Sequence, residues 1–263
     1  MQDDPSSSEL WSVAEALADT ARAETLKYFR RPGLIAESKT DAFDPVTIAD
    51  RAAEQAMRAV LAERRPDDAI LGEEYSDCAG TSGWTWILDP IDGTRGFISG
   101  TPTWGVLIAV ADSTGPKLGI IDQPFIGERF CGGFGRADYT GPQGETSLGV
   151  RHTTGLDRAI LFSTFPEIGS QDERAAFESV ASEVRLVRYG TDCYAYGLLA
   201  LGQIDLVIEA GLQAYDIAGP MAVVEAAGGI VTNWQGGPAQ NGGQVIAAAS
   251  PDLHKAALER LNG

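Results

Sequence analysis

Residues 84–94 read WTWILDPIDGT, an apolar run that delivers two acids into a turn. Thr85, Trp86, Ile87 and Leu88 favour a buried strand, and Asp89 and Asp92 leave its end separated by a proline and an isoleucine. Pro90 has no N–H to give a neighbouring strand, so regular pairing is expected to stop there. Gly93 lets the backbone approach a ligand closely, and Thr94 sets a hydroxyl beside the acids. Carboxylates, the carbonyl of Ile91 and the amides of Gly93 and Thr94 are what a hard divalent cation and a phosphate need side by side. Asp, Pro and Gly are equally ordinary turn residues, so the same letters also suit an Asx turn at a strand end.

Upstream, Ala69-Ile70-Leu71 is a second short strand, and it runs into Gly72-Glu73-Glu74, so another strand edge delivers acids. Before it, Asp44-Pro45 has the form of an N-cap followed by proline at the first helical position. Val46, Ala49, Ala53, Ala56, Met57, Val60 and Leu61 then supply a buried helical stripe. Asp50 falls near the start of that helix, where an acid complements the dipole whatever else it does. Ser6 and Glu9 have capping-box spacing, and Leu10, Ala14, Leu17, Ala21 and Tyr28 recur at helical intervals until Arg30-Arg31-Pro32-Gly33.

Downstream, residues 95–99 suit one helical turn before Gly100 and Pro102. Segments 104–111, 116–122 and 128–132, parted by Gly- and Pro-bearing turns, predict an antiparallel meander. Residues 132–149 are expected to form a surface loop or a further hairpin, and to mark the boundary between halves 1–149 and 150–263 of one compact unit. The second half changes rhythm: strands at 159–163, 184–188, 204–208 and 230–232 alternate with helices at 172–182, 192–201 and 216–227. A last strand at 244–249 and a helix at 251–261 close it. The expected architecture is an α+β half packed on an α/β half. Glu209 ends one of these strands, while Asp216 and Asp192 each sit where an N-cap belongs.

The balance of 37 acidic against 20 basic residues, net −17, argues against nucleic acid as a partner, because a phosphate backbone demands the opposite sign. Cys78, Cys131 and Cys193 are odd in number, widely spaced and without a CxxC, so neither a disulfide framework nor a zinc site is indicated. The start, MQDDPSSSELW, lacks a basic region followed by an apolar one, and no run of membrane-spanning length occurs. A reducing cytoplasm, with no secretion and no membrane insertion, is the expectation.

Taken together, Gly72-Glu73-Glu74, DPIDGT at 89–94 and YDIAGPMAVVEAAGG at 215–229 resemble the three signature motifs of the inositol monophosphatase-like family, whose members are magnesium-dependent, lithium-sensitive phosphatases. DPVTIAD around Asp50 and the position of Glu209 extend the resemblance over nearly the whole chain. It implies a five-layer α-β-α-β-α sandwich of the inositol monophosphatase / fructose bisphosphatase type. It also implies hydrolysis of a small phosphate monoester with two or three Mg2+ ions, in an enzyme that is commonly a homodimer. One ion is implied at Glu73, Asp89 and the Ile91 carbonyl, a second at Asp89, Asp92 and Asp216, and a third, weaker one at Glu73 with waters. On the same pattern Glu73 and Thr94 orient or deprotonate the attacking water, Asp50 acts through Thr94, and the amides of Gly93 and Thr94 bind phosphate oxygens.

Three stretches, GTRGFISGTPTWGVLIAV (93–110), LGIIDQPFIGERF (118–130) and RYGTDCYAYGLLALGQIDLVIE (188–209), are more similar to the histidinol-phosphatase branch of that family. This implies Asp192 and Glu209 as partners for the amine or imidazole of histidinol phosphate, although a neutral polyol also suits Glu209 and helix capping also suits Asp192. Within the family, inositol 1-phosphate, a bisphosphate nucleotide and fructose 1,6-bisphosphate are the alternative substrates; a silent magnesium-binding regulatory protein is the alternative outside enzymes. A haloacid-dehalogenase site is disfavoured because two residues, not one, part Asp89 from Asp92. Arg151-His152 matches the start of a histidine-phosphatase motif but continues into Thr153. Lys39, before Asp44 where relatives carry a lid, and Arg95 are assigned no role.

Overall fold

The protein is described by a computed structural model covering residues 5–32, 36–38 and 45–263. Helix α1 (Pro5–Thr25) opens it, burying Leu10, Ala14, Leu17 and Ala21. The helix already begins at Pro5, so Ser6 lies inside its first turn rather than at a cap. It ends at Thr25, and Tyr28 belongs to the turns that follow, its N–H bonded to the Thr25 carbonyl.

A two-strand ladder of β1 (Ala36–Ser38) and β2 (Pro45–Thr47) leads into α2 (Ile48–Arg64). The cap of α2 is Thr47, three residues beyond the expected Asp44. Its hydroxyl accepts from the Ala49 N–H at 3.0 Å, while its own N–H and hydroxyl donate to Asp50 Oδ2 at 2.8 and 2.6 Å. Such a reciprocal box needs an acid at the third helical position, and only a start after Thr47 puts Asp50 there. Pro45 pairs with Ser38 instead, and Asp44 and Lys39 lie outside the described residues.

The first sheet has seven strands lying in sequence order: β3 (Ala69–Gly72), β4 (Thr85–Asp92), β5 (Gly105–Asp112), β6 (Gly115–Gln123), β7 (Glu128–Gly133), β8 (Arg136–Gly141) and β9 (Gly144–Ser147). Only the β3/β4 pair is parallel. The meander is as expected, and β8 with β9 form the further hairpin. Helix α3 (Thr94–Ser99) links β4 to β5. The second sheet combines β10 (Ile160–Ser163), β11 (Leu186–Tyr189), β12 (Leu206–Leu212), β13 (Ile230–Thr232) and β14 (Gly243–Ala248) in the order β11-β10-β12-β14-β13. The first three of these run parallel, and β14 enters antiparallel between β12 and β13. Its helices are α4 (Gln171–Ala181), α5 (Tyr194–Ala200), α6 (Ala214–Ala226) and α7 (Pro251–Leu261).

Alternation along the strands sorts the core into layers, because successive side chains point to opposite faces. Ile108 and Ile120 face outward and meet Leu10, Leu17, Met57 and Leu61 of α1 and α2. Leu107 and Ile121 face inward and pack with Leu199 of α5, Ile217 and Val223 of α6, and Val207 and Val245 of the second sheet. On the far side of that sheet Leu206 and Ile246 meet Phe177 and Val180 of α4 and Leu253 and Ala257 of α7. The result is the five-layer α-β-α-β-α sandwich that the sequence resemblance implies. No helix among the described residues is long and apolar enough to cross a membrane.

Arg151 has a structural task. Its Nε donates to Asp205 Oδ1 at 2.6 Å and its Nη2 to Oδ2, while the Ile160 N–H donates to Oδ2 at 2.7 Å. Burial works against a charge on Asp205, yet the Arg151 fork, Thr153 and the Ile160 amide together hold its carboxyl below the ordinary range. A depressed folded value means that this contribution is present above the ordinary carboxylate pKa and lost as the pH falls through the folded one. Asp205→Asn turns one acceptor into a donor facing donors and is expected to cost about 2 kcal/mol. Urea unfolding at neutral pH is the check.

Candidate active site

The ends of β3, β4 and β12 and the start of α6 surround a cleft of about 380 Å³. Glu73, Asp89, Ile91, Asp92, Gly93, Thr94, Asp192, Glu209 and Asp216 all line it, so it draws on both sheets. Of the residues singled out in the sequence, Asp50 is the one set behind its wall.

Strand β4 delivers its acids through a bulge. Asp89 pairs with Leu107 and Asp92 with Gly105, so β4 fits one more residue than β5 between these pairs. Contrary to the expectation from sequence, pairing does not stop at Pro90; the proline sits in the slip, where a missing N–H does no harm, and the ladder resumes at Asp92. The bulge leaves Asp89 buried and sends Asp92 into the cleft, with the Ile91 N–H donating to Asp89 Oδ1 at 3.0 Å.

Asp216 reaches the same place from α6. The cap of that helix is Gln213, not Asp216, which lies at the third helical position and accepts the Gln213 N–H at 2.7 Å. Ligand oxygens of Asp89, Asp92 and Asp216 lie within 4.8 Å of one another. At that spacing two ionised carboxylates repel by roughly 3 kcal/mol at an effective dielectric near 20. Burial first, then Glu73, Asp92 and Asp216, push the Asp89 carboxyl well above the usual range. Burial, Asp192 and Asp216 do the same to Asp92, against a hydrogen bond from the Cys193 N–H at 2.6 Å. A cluster of hard oxygen donors that resists ionising together is the kind of site a magnesium-like cation fits, since the cation supplies the missing charge.

Beside the cluster, the Thr94 hydroxyl lies 3.2 Å from the Ile91 carbonyl and 3.5 Å from Asp50 Oδ1. Asp50 is fully buried, and burial, opposed by its bonds to Thr47, raises it to about 6. It therefore serves the start of α2 and faces Thr94 at once. Gly93 stands before α3 with φ of 81°, a left-handed conformation that only glycine adopts freely.

Beside Gly93 and Asp92, Asp192 precedes α5 with φ of 45°, and Cys193 rather than Asp192 takes the cap position. Burial raises Asp192 to about 6, with Arg95 acting in the other direction. Glu209 on β12 is buried and raised to about 8, first by burial and further by Asp192. It accepts from the Thr164 N–H at 2.7 Å, the Thr164 hydroxyl at 2.9 Å and the Ser163 hydroxyl at 3.3 Å. Sequence reading missed Thr164, Phe165 and the Cys193 amide. Thr164 and Phe165 follow a strand end that carries no motif, and an amide leaves no letter. The Arg95 guanidinium lies 4.9 Å from the Phe165 ring centre, and both residues line the cleft.

A profile of the inositol monophosphatase family matches residues 6–262. The chain is 41% identical over 261 residues to the bifunctional phosphatase IMPL2, chloroplastic, of Arabidopsis thaliana, covering 95% of this chain and 74% of that one. It is 35% identical to a histidinol-phosphatase of Mycobacterium tuberculosis, covering 95% and 96% respectively. Among solved structures, an inositol monophosphatase from Zymomonas mobilis superposes with a TM-score of 0.83 at 39% identity, covering 96% of this chain and 97% of the other. With its acidic cleft and its five-layer sandwich, the chain belongs to the inositol monophosphatase family and is a phosphoric monoester hydrolase.

Proposed function

We propose that the enzyme hydrolyses histidinol phosphate to histidinol and inorganic phosphate with Mg2+ as cofactor. The observation that carries this reading is the pair Asp192 and Glu209: two carboxylates of the cleft wall outside the Asp89, Asp92 and Asp216 cluster, each raised by burial and the second further by the first. A cationic group set between them relieves both shifts, and the amine or imidazole of histidinol phosphate supplies one. The likeness to histidinol-phosphatases over nearly their whole length points the same way. A second reading, hydrolysis of inositol 1-phosphate, is favoured by the likeness to the Zymomonas mobilis inositol monophosphatase and by the hydrogen-bonding capacity of Glu209 toward a polyol.

Glu73, Asp89, Asp92, Asp216 and the Ile91 carbonyl would hold two or three Mg2+ ions. When bound, magnesium polarises the phosphoryl oxygens and lowers the pKa of water. The chain's own groups do the rest. The amides of Gly93 and Thr94 bind phosphate oxygens and fix the phosphoryl group for in-line attack. Glu73 accepts the proton of the attacking water, and Thr94, held between the Ile91 carbonyl and Asp50, orients it. The water oxygen bonds to phosphorus as the ester P–O bond breaks, the leaving oxygen takes up a proton from solvent water, and Glu73 returns the proton it accepted to solvent. We place the enzyme in the cytoplasm as a homodimer, which equilibrium sedimentation tests as twice the chain mass.

The deciding experiment is phosphate release from histidinol phosphate, inositol 1-phosphate, adenosine 3',5'-bisphosphate and fructose 1,6-bisphosphate, with and without Mg2+. Histidinol phosphate is expected to rank first by kcat/KM; inositol 1-phosphate in that place supports the second reading. Asp192→Ala is expected to raise KM for histidinol phosphate about tenfold and to change KM for an aryl phosphate little, the difference reflecting one charge-assisted contact. Equal changes for both substrates refute a specificity role for Asp192.

A further inference from the structure

Helix α2 carries two fully buried acids one turn apart, Asp50 and Glu54. Asp50 faces Thr94, as described. Glu54 instead lies against the chain on both sides of Glu73. Its Oε2 accepts the Glu74 N–H at 2.8 Å, and its Oε1 accepts Arg58 Nε at 2.8 Å. Arg58 Nη2 in turn donates to the Tyr75 carbonyl at 3.1 Å, and the Tyr75 hydroxyl donates to the Arg51 carbonyl at 3.3 Å. On the other side of Glu73, a Cβ on Gly72 would stand 2.1 Å from Glu54 Oε1 and 2.8 Å from Arg58 Nη2, so the glycine is what lets the carboxylate touch the backbone. The N–H of Glu73 itself is bound to the Leu88 carbonyl at 3.2 Å, next to Asp89.

A buried ion pair is a poor way to gain stability, because desolvation consumes most of its attraction and an apolar pair of equal volume does as well. What this pair does supply is direction. It ties residues 74 and 75 to α2 and closes against residue 72, while β4 holds residue 73. Glu73 alone is left to turn its side chain into the cleft.

We infer that Glu54, braced by Arg58, is a positioning residue that sets Glu73 for metal binding, and that α2 thereby aligns both Glu73 and Thr94 from a single rigid element. The inference rests on the reading of Glu73 as a metal ligand. Groups that orient ligands in this way are worth about 10- to 100-fold in metal affinity.

The test titrates MgCl2 into the full-length protein without substrate, read by calorimetry and by the Mg2+-dependent rise in melting temperature, with kcat and KM measured alongside. Glu54→Gln keeps the volume but presents an amide N–H to either Glu74 or Arg58. It is expected to raise the Mg2+ midpoint about tenfold while KM for the phosphate ester changes less than about twofold. Asp205→Asn, a buried acid elsewhere, is expected to lower the melting temperature and leave the midpoint where it was. A wild-type midpoint in Glu54→Gln, or an equal shift in Asp205→Asn, overturns the proposal. Should Glu54→Gln fail to fold, Arg58→Lys, which keeps the charge and loses the fork, decides by the same midpoint: a weaker shift in the same direction supports the proposal, and none overturns it. Glu73→Gln separates the underlying reading. If it binds Mg2+ like the wild type, Glu73 is not a ligand, whatever Glu54 does.

Discussion

Asp89→Asn is expected to remove magnesium-dependent phosphate release almost entirely while making the metal-free protein more stable. The two effects share a cause. Asp89 is buried beside Glu73, Asp92 and Asp216, and its carboxyl is held well above the ordinary range by burial and then by those neighbours. An acid with a raised folded pKa keeps its proton while the unfolded chain has already lost its own, so metal-free stability falls as the pH climbs above the ordinary carboxylate value. The amide has no proton to lose, and in EDTA its melting temperature is expected to stay flatter from about pH 5 to pH 8. With Mg2+ the order reverses: the wild type gains stability and the variant gains little. Losing a ligand to both proposed ions is worth about 4 kcal/mol at the transition state, or roughly 10³-fold in kcat/KM. Melting curves with EDTA and with MgCl2, beside a phosphate-release assay, give both readouts. Wild-type turnover in the variant refutes the role of Asp89.

Gly93→Ala is expected to be nearly as damaging, by a different route. At φ of 81° an L side chain costs about 1–2 kcal/mol. The added Cβ would also stand 2.7 Å from Asp192 Oδ2 and 2.8 Å from its Cγ. Asp192 is itself held at φ of 45°, so it has little freedom to yield without moving the start of α5 and the Cys193 amide that binds Asp92. One methyl group therefore disturbs Asp192 and, through the Cys193 amide, Asp92. A displacement of about 1 Å in such a site costs about 10²-fold, and kcat and KM are expected to worsen together. A loss confined to kcat, with histidinol phosphate and an aryl phosphate affected alike, shows that Asp192 stays in place.

Most of the element order was readable because glycine and proline punctuate this chain where strands turn, as in the meander from Gly105 to Gly133. The gathering of Glu73, Asp89, Asp92 and Asp216 was readable too, since each acid follows a short apolar run or opens an apolar helix. The helix starts were less legible. Aspartate is the commoner letter for a cap, yet at α2 and α6 the acid sits at the third position and answers a Thr or a Gln before it. Sequence alone leaves those two frames open, because both satisfy the first amides. The left-handed backbone of Asp192 has no signature in its neighbours. Glu54 was invisible for a plainer reason: a glutamate in mid-helix ordinarily faces water, and the expected stripe gave its place to Ala56 and Val60, both only half-buried. The spacing from Asp50 through Glu54 to Arg58 was the available clue.

The acids of the cleft belong to two separately hydrogen-bonded sheets: Asp89 and Asp92 end a strand of one, while Asp216 opens the helix that follows a strand of the other. Chelation should thus leave like charges confronting one another along the seam between the sheets, and backbone amides at that seam, around Asp92 and Cys193, should exchange with deuterium faster in EDTA than those buried under α1. How firmly the two sheets close on each other becomes a function of the free metal concentration around the enzyme.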